Sequence, residues 1–141
     1  EEHQQTLSLM REVEYDLAYM FAYSERERTL AYRKFEDDVP QEVKKRRLSE
    51  IISQQMSIQH RRNHDEIGHR HVVLVEGTSK RSEQQMSGRT DTNKIAVFDR
   101  NDFEKGDYVE VEITGATSAT LIAKPIATTS LRAYYSAVLE A

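Results

Sequence analysis

The 141-residue sequence contains no cysteine, which excludes disulfides, thiolate zinc sites, iron–sulfur ligation and cysteine nucleophiles within these residues. It also lacks a long apolar run. No stretch approaches the roughly 20 residues needed to span a bilayer, and no basic-then-apolar leader opens the chain. A soluble, cytoplasmic protein with no membrane partner is expected. Positive charge is not in excess either: 20 Lys and Arg against 24 Asp and Glu give a formal net charge of −4. A polyanion therefore meets no global attraction, and any nucleic-acid site must be a local patch. What remains is 38% hydrophobic and 31% charged residues, enough apolar content to bury a modest core.

Two regions differ in their period. Leu7, Met10 and Val13 recur three residues apart among Glu and Gln, which suits a short amphipathic helix. From Tyr15 to Tyr23 the pattern alternates, with Leu17, Tyr19, Phe21 and Tyr23 set against Asp16, Ala18, Met20 and Ala22, and this predicts a buried strand. Ser24 to Lys34 is polar and mixed in charge and reads as a loop. A long helix follows. Asp38 or Val39 is the expected cap, Pro40 fits the first turn, and Val43, Leu48, Ile51, Ile52 and Met56 form the stripe, with an end near Gln59 to Asn63. Lys44 to Arg47 lie largely off that stripe, as a solvated face would, with a secondary phosphate contact as the alternative.

Beyond Gly68 the texture is all β: His71 to Glu76, Gln85 to Thr90, Lys94 to Asp99, Tyr108 to Thr114 and Ala119 to Ala123. Val109, Val111 and Ile113 alternate with Tyr108, Glu110, Glu112 and Thr114, so one face is apolar. Asp91 to Asn93 and Lys105 to Asp107 carry turn chemistry. Strands this few and this short remove their edges most economically by closing into a small OB-like barrel, expected to be antiparallel. In the tail, Leu131, Tyr134, Tyr135, Val138 and Leu139 follow a helical spacing behind Ser130 as a cap. The fold class is α+β.

Three stretches carry a resemblance. Phe21-Ala22-Tyr23-Ser24-Glu25-Arg26 with Thr29 and Ala31 comes first, and Asp37 to Lys44 through Arg47-Leu48 second. The third combines Val75-Glu76-Gly77, Ser79-Lys80-Arg81, Gly88-Arg89-Thr90, Asn93 and Val97-Phe98-Asp99. Together they resemble the C-terminal third of the radical-SAM tRNA methylthiotransferases, and the third resembles the family's RNA-binding TRAM domain. Glu27-Arg28 stands where that family usually has Pro-Gly. The resemblance implies residues 1–65 as the end of an α/β radical-SAM barrel and its exit helix, 66–126 as a five-stranded TRAM barrel, and 127–141 as a tail. It also implies a parent enzyme that uses two 4Fe-4S clusters and S-adenosylmethionine. This chain, without cysteine, would be inactive alone. Its implied partners are a tRNA anticodon stem-loop and the N-terminal catalytic domains of the parent. A sister branch acting on a ribosomal-protein aspartate and a stand-alone RNA-binding module are the alternatives.

Among candidate site residues, Lys80, Arg81, Arg89, Lys94 and Arg100 lie on or beside consecutive strands, where hairpin pairing could gather them on one phosphate-binding surface. Interspersed with Glu83, Asp91, Asp99 and Asp102, they also suit a plain solvated face. Gly77 and Gly88 suit close approach of a ligand or, more simply, a bulge or tight turn. Arg26 falls just past a barrel-type strand, a position from which substrate or cofactor is reached, or else it pairs with Glu25, Glu27 or Asp37. His60, His64, His69 and His71 have ligand-like spacing but lack an evident carboxylate second shell, so no metal site is assigned. Glu36-Asp37-Asp38 is read as helix capping, and no catalytic residue is assigned.

Overall fold

The structure is a computed structural model that describes residues 1–139, which form two compact units divided between Ile58 and Gln59. In the first unit, α1 (Glu2–Val13) buries Leu7 and Met10 and ends at Glu14, which adopts the left-handed conformation with φ 52° and donates its N–H to Met10 O. Gln54 and Gln55 of α3 (Gln41–His64) donate from their side-chain amides to Leu7 O and Tyr15 O, each at 2.7 Å.

The expected strand from Tyr15 to Tyr23 does not form, and its rings are not buried: Tyr19 is 77% and Phe21 84% exposed. Alternation marks a chain suited to a ladder, but a ladder needs a neighbour, and among the described residues no strand lies beside this one. The loop expected over Ser24 to Lys34 contains a short helix, α2 (Leu30–Lys34), because the Thr29 hydroxyl caps it by accepting from Tyr32 N at 3.2 Å. Neither Asp38 nor Val39 starts α3. Pro40 directly precedes the helix, and its carbonyl accepts from Val43 and Lys44. Asp37 pairs instead with Lys44, whose ammonium also lies 5.5 Å from the Tyr23 ring centroid. Lys44 is thus a largely buried ion-pair partner more than part of a solvated face.

In the second unit, five strands close into a barrel in the order β1-β2-β3-β5-β4: β1 (Arg70–Ser79), β2 (Ser82–Arg89), β3 (Ile95–Asp99), β4 (Tyr108–Ala116) and β5 (Leu121–Thr129). The inward residues form the core: Val73, Val75, Met86, Ala96, Phe98, Val109, Val111, Ile113, Leu121 and Ala123. Phe98 is 1% exposed and meets Phe103 edge-on, so Phe98→Ala would cost about 3–5 kcal/mol.

The ring is not purely antiparallel as expected, because β3 and β5 run parallel, with Ala96 opposite Leu121 and Val97 opposite Ile122. Parity requires this. An odd number of strands cannot alternate in direction all the way around a closed ring, so one neighbouring pair must be parallel. β5 also runs past Ala123 to Thr129, with Pro125 beside a register shift where its missing N–H interrupts no regular ladder. The tail is helical, as α4 (Leu131–Leu139), and the Ser130 hydroxyl accepts from Ala133 N. Glu140, Ala141 and the Val138 side chain lie outside the described residues.

Candidate nucleic-acid interface

The barrel places the five expected cations in two groups and not on one surface. Ser79 pairs with Ser82, so Lys80 and Arg81 form the exposed tip of the β1–β2 hairpin. Arg100 follows β3, donates its backbone N–H to Gln84 O at 2.9 Å, and is exposed. These three sit at one end of the paired β2–β3 strands. Arg89 and Lys94 flank the turn at the other end, about 23 Å away at roughly 3.3 Å per strand residue.

The second group is already engaged. Arg89 donates from Nε to Glu76 at 3.2 Å, and from one terminal nitrogen to the Asn93 carbonyl at 3.2 Å and to Asn93 Oδ1 at 3.0 Å. It thereby holds the turn in which Asn93 has φ 65°. The Lys94 side chain is only 6% exposed, and its ammonium donates to Glu66 at 2.6 Å and to Arg62 O at 3.3 Å. Lys94 therefore braces the barrel and does not present a charge to a ligand, which corrects its place in the expected patch. The sequence could not show this, because its carboxylate partner lies 28 positions away.

Glu66 is the hub of this group. Its other oxygen pairs with His71 at 2.8 Å and lies 3.7 Å from His69. Burial pushes its carboxyl pKa up, but the hydrogen bonds from Lys94 and His71, together with their charges, outweigh burial and hold it below the usual carboxylate value. His60 and His64 stack on each other, with ring centroids 4.2 Å apart. Among the described residues no group of three or more His, Cys, Asp or Glu is arranged to hold a metal ion.

The two glycines resolve as backbone features. A Cβ on Gly88 would sit 2.3 Å from Leu74 O and 2.5 Å from Val73 Cγ1, so only glycine lets β2 lie this close to β1. Gly77 has φ +147° at a register shift in β1. Arg26 lies in the exposed turn before α2, where its carbonyl accepts from the Thr29 hydroxyl at 2.8 Å; Asp37, one of its expected partners, is taken by Lys44.

Comparison with known proteins bears on this barrel directly, since residues 65–126 match the model of the TRAM domain family. Residues 65–126 are a TRAM domain. The TRAM domain contributes all five strands, although the match stops three residues short of the end of β5 at Thr129. Over a longer span the chain is similar to tRNA-2-methylthio-N(6)-dimethylallyladenosine synthases. It is 54% identical over 125 residues to that of Chlorobium phaeobacteroides, covering 89% of this chain and 28% of the relative. It is 54% identical over 121 residues to that of Phocaeicola vulgatus, covering 86% and 26%. It is 49% identical over 126 residues to that of Christiangramia forsetii, covering 89% and 26%. The chain thus spans about a quarter of the length of the curated relatives it matches. No helix of the described residues is long and apolar enough to cross a membrane.

Proposed function

We propose that this chain is the tRNA-docking C-terminal region of a radical-SAM methylthiotransferase, and that it grips an anticodon stem-loop while the parent adds a methylthio group to C2 of N6-isopentenyladenosine. The observation that carries the reading is the pairing of a TRAM domain with about 50% identity to synthases of that name across most of the chain. The relatives' name favours tRNA over a ribosomal protein as the substrate. The grip comes from Lys80, Arg81 and Arg100, exposed cations at one end of β2–β3 on a chain whose net charge is −4. Arg89 supports the site from the other end by fixing the turn, and Arg26 is a candidate to reach substrate or cofactor in the parent.

The two 4Fe-4S clusters and S-adenosylmethionine of such an enzyme would supply its radical and sulfur chemistry. Residues 1–141 contain no cysteine and do not fit a cluster, so they supply placement alone. In this reading the exposed aromatic segment from Tyr15 to Tyr23 is a barrel strand whose ladder partners belong to the parent.

A salt titration tests the grip. Fluorescence anisotropy of a labelled anticodon stem-loop should show affinity falling as salt rises, because bound counterions are released. Lys80→Ala, Arg81→Ala or Arg100→Ala should each lower the log–log slope by about 0.7–0.9. Lys45→Ala is the control, since its exposed ammonium pairs with the exposed Glu42 on α3, outside the barrel. Full slopes in all three barrel variants would remove this end of the TRAM domain as the phosphate site.

A further inference from the structure

Helix α4 lies beyond the residues that match the TRAM family, yet two side-chain hydrogen bonds tie it to the outer face of the barrel. The Tyr134 hydroxyl donates to Arg70 O at 3.0 Å, and the Tyr135 hydroxyl donates to Asp91 Oδ2 at 3.2 Å. The helix does not close down on the strands. Between them remains a cleft of about 200 Å³ whose walls include Leu74, Arg89, Asp91, Tyr108, Tyr134 and Tyr135.

The chemistry of this cleft selects its ligand. Three tyrosines give flat π surfaces, and Tyr134 and Tyr135 meet edge-on with centroids 5.5 Å apart. Arg89 is oriented by its bonds through Nε and one terminal nitrogen, so the other terminal nitrogen retains two N–H donors. Asp91 accepts from Thr92 N on one oxygen and from Tyr135 on the other, and each oxygen keeps a further lone pair. Arg89 faces Asp91, and the His71 ring on the same wall is engaged by Glu66, so no cation is left in excess; burial and then Glu110 hold the Tyr134 hydroxyl pKa above its usual value against the opposing charge of Arg70, and Asp91 raises that of Tyr135. A phosphate gains little here. A neutral, planar heterocycle with both donors and acceptors on its edge meets every group.

We propose that this cleft takes one unpaired nucleobase bearing an exocyclic amine, stacked on the tyrosine rings, with the amine donating to Asp91 and a ring acceptor receiving Arg89. The proposal rests on the RNA-docking reading for its source of bases. It adds to that reading a base-recognition site, built partly by α4, on a domain otherwise argued to grip phosphates.

Two measurements on the full chain separate this proposal from the RNA reading. In the first, adenosine, uridine and adenosine monophosphate are titrated separately while the Tyr108 and Tyr134 ring resonances are followed by NMR. Adenosine should shift both, uridine should do so several-fold more weakly, and the monophosphate should bind no tighter than adenosine. If adenosine leaves both rings unmoved, or if the monophosphate binds markedly tighter, the base site is refuted whether or not RNA binds elsewhere.

In the second, a hairpin RNA carries 2-aminopurine at successive loop positions. Binding should quench the fluorescence at one position. Tyr135→Ala should abolish that quench and weaken binding by about fivefold to a hundredfold while leaving the salt slope intact. Arg81→Ala should do the reverse, lowering the slope while keeping the quench at saturation. Tyr134→Phe keeps the ring, removes only the bond to Arg70 O, and should retain most of the quench. A hairpin that binds with a normal salt slope but is quenched at no loop position would refute the base site and leave the phosphate grip standing. Adenosine binding without any hairpin binding would support the cleft and count against the grip.

Discussion

The ammonium of Lys94 donates to the Glu66 carboxylate at 2.6 Å, joining the β2–β3 turn to the segment that precedes β1. With side chains 6% and 19% exposed, the pair is mostly withdrawn from water, and removing one member strands the other. Lys94→Ala should cost about 2–3 kcal/mol, somewhat under the roughly 3–5 kcal/mol of a fully buried pair, because His71 still serves Glu66. Urea unfolding would measure the loss. The salt slope for stem-loop binding should not change, which separates this lysine from Lys80 and Arg81.

The depressed pKa of Glu66 sets a pH dependence of definite sign. A carboxylate whose folded pKa lies below the unfolded value of 4.5 contributes stability that is fully present above 4.5 and is lost as pH falls through the folded value. Wild type should therefore exceed Glu66→Gln in stability at pH 7, and the gap should narrow below pH 4.5. Thermal melts of both proteins across that range test this; a gap that widens on acidification would contradict the assignment.

Gly88→Ala should be among the most damaging single substitutions in the barrel. The added methyl would meet backbone, which cannot rotate away as a side-chain tip does, so β1 and β2 must separate. A loss of about 3 kcal/mol or more is expected, at the upper end of ordinary overpacking. Circular dichroism melts would show it, and Gly106→Ala, with nothing within 4 Å but φ +100°, should cost less and through backbone strain alone.

The end of β5 yields a truncation prediction. Tyr108 pairs with Thr129 and Val109 with Thr128, so a fragment of residues 59–126 loses the last rungs of the β4–β5 ladder. It should melt below a fragment of residues 59–130, although both keep every core residue of the barrel. Equal melting temperatures would show that these rungs contribute no stability.

Much of this fold was legible because period reports burial where a partner face exists. Val109, Val111 and Ile113 alternate in the sequence and are all buried in the barrel. The same logic failed at Tyr15 to Tyr23, where the alternation is equally clean but no strand lies alongside. The strand expected over Ala119 to Ala123 continues to Thr129, because the register shift beside Pro125 accommodates a residue that lacks an N–H donor. Charge misled at Lys94 and Lys44, whose burial depends on Glu66 and Asp37 and not on their own residue type. The parallel β3–β5 pair, by contrast, was implicit once strand number and closure were taken together.

That parallel pair also determines how the barrel comes apart. β4 and β5 meet over eight ladder positions, whereas β3 and β5 meet over two, between strands whose partners on their other edges are antiparallel. A ring held by unequal seams breathes at the shortest one, so amides around Ala96 and Ile122 should exchange with solvent ahead of those in β1 and β4. Both non-hairpin seams must close a long loop, but β1–β4 returns five rungs for it and β3–β5 only two, so the β3–β5 seam is the less rewarded of the two. A refolding chain should therefore first make an open, curled sheet and become a barrel in its last step.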